Sequence, residues 1–280
     1  MPEENKIRET VEAVKELAKA VPIYQDAIQP AAKEVGEALL IVGKTIRAAL
    51  SPLKGLVWGY EQIEDFVSNK VAEKLKNVPP EHIITPKANV AGPTIEALKY
   101  TGHEETLRDM YANLLATAMD SRTASGALPA FVEIIRQLTS DEAKIVRMFV
   151  NNRPFPLLTV RREYKIQTAE ERGGTDVLVN FSLLGFEAGC EFPRLTQTYI
   201  DNICRLGLAE VPQIFEYTTQ GVYEPLENHP EVLAVKTVIE GIDAGKWIPK
   251  LKRHGLAVTQ LGRMFCNVCI ISMDRIQPSN

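Results

Sequence analysis

Apolar residues recur at helical spacing through the first half of the chain. Leu107, Met110, Tyr111, Leu114, Leu115 and Ala118 form one stripe, and Phe131, Ile134, Ile135 and Leu138 form another. Both need covering, which places the centre of a helical core between residues 94 and 149. Upstream, Ile7, Val11, Val14, Leu17 and Val21 predict an amphipathic helix that Pro22 ends. Val35, Leu39, Val42, Ile46, Ala49 and Leu53 then alternate four and three apart in a heptad-like seam, with Gly36 and Gly43 allowing close approach of another backbone. Ile63, Phe66, Val67, Val71 and Leu75 make the next helix, which Val78-Pro79-Pro80 stops. The proline-rich stretch 79–93 reads as an irregular link, followed by helices over 93–100, 104–119 and 129–138. Thr139-Ser140-Asp141-Glu142 has capping-box spacing and should start another helix.

After Asn151 the pattern changes. Residues 155–165 and 177–184 are rich in β-branched and aromatic side chains, with a charged, glycine-containing turn between them, so they predict a hairpin. Residues 193–206 predict a helix with Gly207 just past its end. Residues 208–211 and 214–218 look like paired strands around Pro212-Gln213, before a helix over 231–242, a short strand over 256–258 and a closing helix over 259–271. The fold class expected is mostly α with a small β component. An N-terminal helical bundle (1–138) precedes a winged-helix-like module with a β-hairpin insertion (139–280), the latter by analogy of element order.

Composition narrows the function classes. At 280 residues, 45% apolar and 24% charged, the chain suits a globular protein of two domains. A net charge of −4 gives no chain-wide attraction to nucleic acid or anionic lipid. The acidic start MPEENKIRET lacks an apolar core for a secretory signal, and 4 cysteines fit reduced thiols rather than a disulfide scaffold. A cytoplasmic protein is expected, with peripheral contact at the inner face of the membrane as the open option.

The segments ALKYTGHEETLRDMYANLLATAMD (97–120), AFVEIIRQLTSDEAKIV (130–146), YIDNICRLGLAEV (199–211) and LAVTQLGRMFCNVC (256–269) carry a likeness. Through them the chain resembles the Abi-alpha family, bacterial proteins associated with abortive infection against phage. The resemblance implies a role in phage defence or growth arrest. It brings no catalytic residue with it.

Candidate chemistry is sparse. Cys266 and Cys269 sit one helical turn apart, but only Cys190, Cys204 and His254 are near enough in sequence to complete a metal site, and no zinc-ribbon spacing results. Their apolar neighbours favour core packing. The scattered histidines form no metal or nucleophile motif, Gly173-Gly174 lacks a phosphate-loop context, and no GxSxG occurs. No enzyme, cofactor or small-molecule substrate is expected.

Two surfaces remain as candidates. Val35, Leu39, Val42, Ile46, Leu53, Trp58 and Tyr60 could meet a partner helix or a membrane interface, the helix being the favoured occupant. Arg194, Gln197, Asn202 and Arg205 on the 193–206 helix, with Lys250, Lys252 and Arg253, could contact nucleic acid. Protein partners or self-association are the leading expectation, and nucleic acid is disfavoured.

Overall fold

The computed structural model describes residues 60–102, 104–151 and 153–271. Candidate residues Val35, Leu39, Val42, Ile46, Leu53 and Trp58 lie outside these, and Tyr60 opens the first described helix. The chain divides into two compact units. Among the described residues the first holds 60–102 and 112–129, and the second holds 104–111 with 130–271. Residues 130–138, assigned from the sequence to the bundle, therefore lie in the second unit.

In the first unit, α1 (Tyr60–Leu75) and α2 (Ala88–Thr101) pack together. Val67, Val71, Leu75, Val90, Ile95 and Leu98 are buried there, as their helical spacing requires. The link between them is shorter than its prolines suggest. Residues 80–82 form one 3-10 turn, and α2 already begins at Ala88 with Pro93 inside it. Pro93 falls early enough in the helix to cost one backbone hydrogen bond, and the buried Thr94 hydroxyl donates to Val90 O beside it, 2.7 Å. Helix α3 (Glu105–Met119) contributes its second half to this unit, and Ile83 bridges Asp120 beyond its end.

In the second unit, α4 (Pro129–Arg136) and α5 (Ser140–Arg147) are followed by an antiparallel hairpin, β1 (Pro156–Tyr164) and β2 (Gly174–Phe181). Then come α6 (Leu184–Glu187), α7 (Thr196–Arg205), β3 (Ala209–Glu210), α8 (Glu224–Glu227) and α9 (Pro230–Gly241). The last described elements are β4 (Trp247–Gly255), β5 (Ala257–Val258) and α10 (Gln260–Cys269). The mostly helical class with a small antiparallel sheet agrees with the sequence pattern.

The strands differ from the expectation in two places. Residues 214–218 are not a strand. Strand β3 pairs with β5, and Ile214 in the intervening loop is 99% exposed. That loop's backbone is satisfied differently: the Tyr217 amide donates to the Tyr223 hydroxyl, 3.0 Å, which itself donates to His254 O, 2.7 Å. The second is an addition: β4 is a nine-residue strand in a basic run to which the sequence pattern assigns no element. It pairs antiparallel with β1 along its whole length, giving the order β2-β1-β4. Pro249 argues against a central strand, but β4 lies at the sheet's edge, where a missing N–H can face away from the ladder.

Helix α9 covers this sheet, so Val232 and Ile239 join Leu158, Val160 and Phe181 in one buried cluster. A second buried group surrounds α10, where Phe265 meets Phe131 edge-on with ring centroids 5.4 Å apart. Thr259 caps α10 by accepting the Gly262 amide, 2.9 Å. Gly262 lets α10 approach the backbone before β3, since an added Cβ would stand 1.9 Å from Leu208 O. Gly262→Ala should cost about 1–3 kcal/mol by overpacking, whereas Gly241→Ala, with nothing within 4 Å, should stay within about 0.5 kcal/mol. Thermal unfolding of the two variants beside the parent chain checks this.

Candidate functional site

The second unit's most organised polar feature starts at the capping box. The Thr139 hydroxyl accepts the Glu142 amide at 3.2 Å, and Glu142 Oε2 accepts the Thr139 amide at 2.7 Å. Asp141 and Glu142 thereby sit in the first turn of α5, where the helix dipole favours negative charge. Both carboxylates then reach across, Asp141 to the segment leading into α7 and Glu142 to α7 itself. Asp141 accepts the amides of Glu191, 2.8 Å, and Phe192, 2.9 Å, the Tyr199 hydroxyl, 3.1 Å, and Lys144 Nζ, 3.0 Å.

Burial alone would raise the Asp141 carboxyl, but the amides of Phe192 and Glu191, with Lys144 and Tyr199, hold it down at about 2. The same contact raises Tyr199: burial first, then its bond to the carboxylate, push the phenol to about 12. Glu142 Oε1 accepts Asn202 Nδ2 at 2.7 Å, and that amide also donates to Gln137 O at 3.1 Å. Arg205 closes the seam, donating to Asn202 Oδ1 and, at 2.9 Å, to Gln137 Oε1.

The candidate nucleic-acid residues divide accordingly. Asn202 and Arg205 are committed to the α5–α7 seam. Arg194 is exposed and Gln197 half-buried at the start of α7. On β4, Lys250 pairs with Glu163 at 3.4 Å and Lys252 with Asp176 at 3.0 Å, while Arg161 also meets Asp176 at 2.9 Å. Arg253 pairs with Glu227 at 2.7 Å and lies over the Tyr223 ring. Each such exposed pair is worth only about 0–1 kcal/mol, yet together they turn a basic sequence run into a surface of alternating sign.

The turn held by Asp141 carries apolar side chains outward. Phe192 is 57% exposed and Leu195 48%, both between α6 and the start of α7, and Phe186 within α6 is 51% exposed. Gly185 lets this turn close, because an added Cβ would meet the Thr196 hydroxyl at 2.1 Å. Sequence reasoning named neither this patch nor the Asp141 clasp. The capping box was visible as a helix start, but nothing local shows that its second acid reaches residues fifty positions later.

Residues 59–269 match the family described as abortive infection alpha, well over half of the chain. The chain belongs to that family. No curated protein matches it. It is similar to a solved structure, that of an uncharacterized protein from the hydrocarbon-degrading marine bacterium Alcanivorax borkumensis SK2. Identity is 21%, covering 50% of this chain and 91% of that one, with a TM-score of 0.34.

In this abortive infection alpha chain, Cys266 and Cys269 are buried on α10, and burial pushes the Cys266 thiol up to about 12 and raises Cys269 well above the usual thiol range. Cys266 Sγ lies 3.8 Å from Val146 O, a weak donor in a packed interior. Burial likewise raises Cys190 and Cys204 to about 11. Among the described residues no group of three or more His, Cys, Asp or Glu is placed to hold a metal, and no helix is long and apolar enough to cross a membrane.

The Asp141 clasp has a pH signature. A carboxyl held below its unfolded value of 3.8 contributes stability above that pH and loses it as pH falls toward the folded value of about 2. Asp141→Asn should therefore cost roughly 2 kcal/mol near neutral pH. The gap in Tm between parent and variant should narrow between pH 4 and pH 2, as measured by thermal melts across that range.

Proposed function

We propose that this chain is a phage-defence protein of the abortive-infection type whose second unit docks a protein partner, acting through contacts rather than catalysis. Family membership supports the defence role. The docking part rests on one observation: Phe192 and Leu195 stand exposed on a turn that the Asp141 carboxylate holds by its Glu191 and Phe192 amides, and Phe186 of α6 is exposed as well. Exposed aromatic side chains on a fixed backbone suit protein recognition, since little ordering entropy is lost on binding.

A winged-helix-like reading supports the same placement. Helices α5, α6 and α7 precede β3, which pairs with β5, and Gly207 turns the chain after α7 with φ +74. In this reading the β1–β2 hairpin and the stretch 211–256 are insertions, and α7 takes the recognition-helix position. A DNA reader would present several cations there, whereas Phe192 and Leu195 at the approach to α7 are apolar and Arg205 is committed to Gln137, just before α5. The DNA-binding alternative retains Arg194, exposed and without a partner among the described residues. The amphipathic stretch 31–60 is the segment we assign to action, on a partner helix, on a second copy or at the membrane surface.

Phage plating on cells expressing the intact chain tests this reading. Phe192→Asp and deletion of 31–60 should each lower protection by roughly tenfold or more. A Lys250→Ala, Lys252→Ala double variant should keep it, with no DNA retardation by purified protein. Loss of protection in that double variant, together with salt-sensitive DNA retardation by the parent, would transfer the assignment to a DNA-binding regulator.

A further inference from the structure

We infer that the groove between α10 and residues 149–155 binds a small anionic amphiphile, an apolar tail carrying one carboxylate or phosphate head. The groove has a volume of about 540 Å³, inside the range of roughly 300–1,000 Å³ usual for small-molecule sites. Its inner wall is apolar: Phe149, Phe155, Leu256 and Cys266 line it and are themselves buried. Of the ionisable side chains lining it, Arg153 and Arg263 are cationic, and no carboxylate among the described residues lines it.

The two guanidinium groups differ. Arg153 pairs with Glu187 and lies 5.3 Å over the Phe155 ring, so its charge is balanced and its place fixed. Arg263 donates only to neutral acceptors, Val258 O at 2.6 Å and Gln260 Oε1 at 3.3 Å, and has no acidic partner among the described residues. Tyr217, also in the lining, has its hydroxyl committed to Leu256 O at 3.1 Å. An uncompensated guanidinium beside an apolar wall selects a negative head with an apolar body, and it rejects a cation. This inference is independent of the partner-docking proposal and concerns different residues.

The test is isothermal titration of the purified full chain with decanoate, decyl phosphate, decan-1-ol and decyltrimethylammonium, each below its micellar concentration. The two anions should bind, the alcohol roughly tenfold more weakly or worse, and the cation not at all. Arg263→Ala should weaken decanoate binding by about tenfold or more. Asn267→Trp, on the exposed part of the α10 wall, should fill the groove and abolish binding. Arg172→Ala, an exposed arginine in the β1–β2 turn, should change nothing, and thermal melts verify that all three variants fold.

Co-sedimentation with phosphatidylglycerol vesicles then separates the sources. Vesicle binding lost in both groove variants assigns the head to a bilayer lipid, and decanoate binding without vesicle binding assigns a free amphiphile. Equal affinity for decanoate and decan-1-ol, or decanoate affinity unchanged in both groove variants, overturns the inference.

Discussion

A carboxylate removed from water has to recover its lost hydration from the protein, and in the second unit Asp141 does so completely. Two backbone amides, a phenol and an ammonium converge on it, drawn from α5 itself, from the segment before α7 and from α7. An unsatisfied buried carboxylate is costly, so these donors cannot move away independently. The position of residues 190–192, and with it the angle at which α7 enters, follows from that constraint. The exposed Phe192 is held outward because its own amide points inward at Asp141.

The neighbouring acid extends the arrangement. Glu142 closes the capping box with one oxygen and takes Asn202 with the other, so one residue both starts α5 and fastens α7 against it. Side chains chemically suited to reading bases, Asn202 and Arg205, are drawn into this seam. What stays outward at the head of α7 is Phe192 and Leu195, with Arg194 between them. The division between buried polar clasp and exposed apolar turn is the basis for assigning this face to protein contact.

Charge on the sheet follows the same logic of register. Lys250 and Lys252 belong to a stretch without nearby acids in sequence, yet β1 and β2 bring Glu163 and Asp176 within ion-pair distance. Arg161 shares Asp176, so three strands contribute to one alternating surface. Around α10 no such compensation reaches Arg263 among the described residues, which is why the groove beside it differs in character from the sheet.

Periodicity alone determined most helices: the stripes through Leu107–Ala118 and Phe131–Leu138 are buried, and the Thr139 capping box forms as its spacing requires. Helix signals are local, because hydrogen bonds, caps and apolar faces all lie within four residues of one another. The hairpin β1–β2 was legible for a similar reason, a turn between two β-rich runs. Only the tertiary structure decided that β3 pairs with β5, that a proline-containing basic run becomes edge strand β4, and that Asp141 holds residues fifty positions away. Those choices depend on partners distant in sequence, whose proximity no window of the chain encodes. The same holds for the candidate sites: residue type showed which side chains carry charge, and packing decided which charges remain unspoken for.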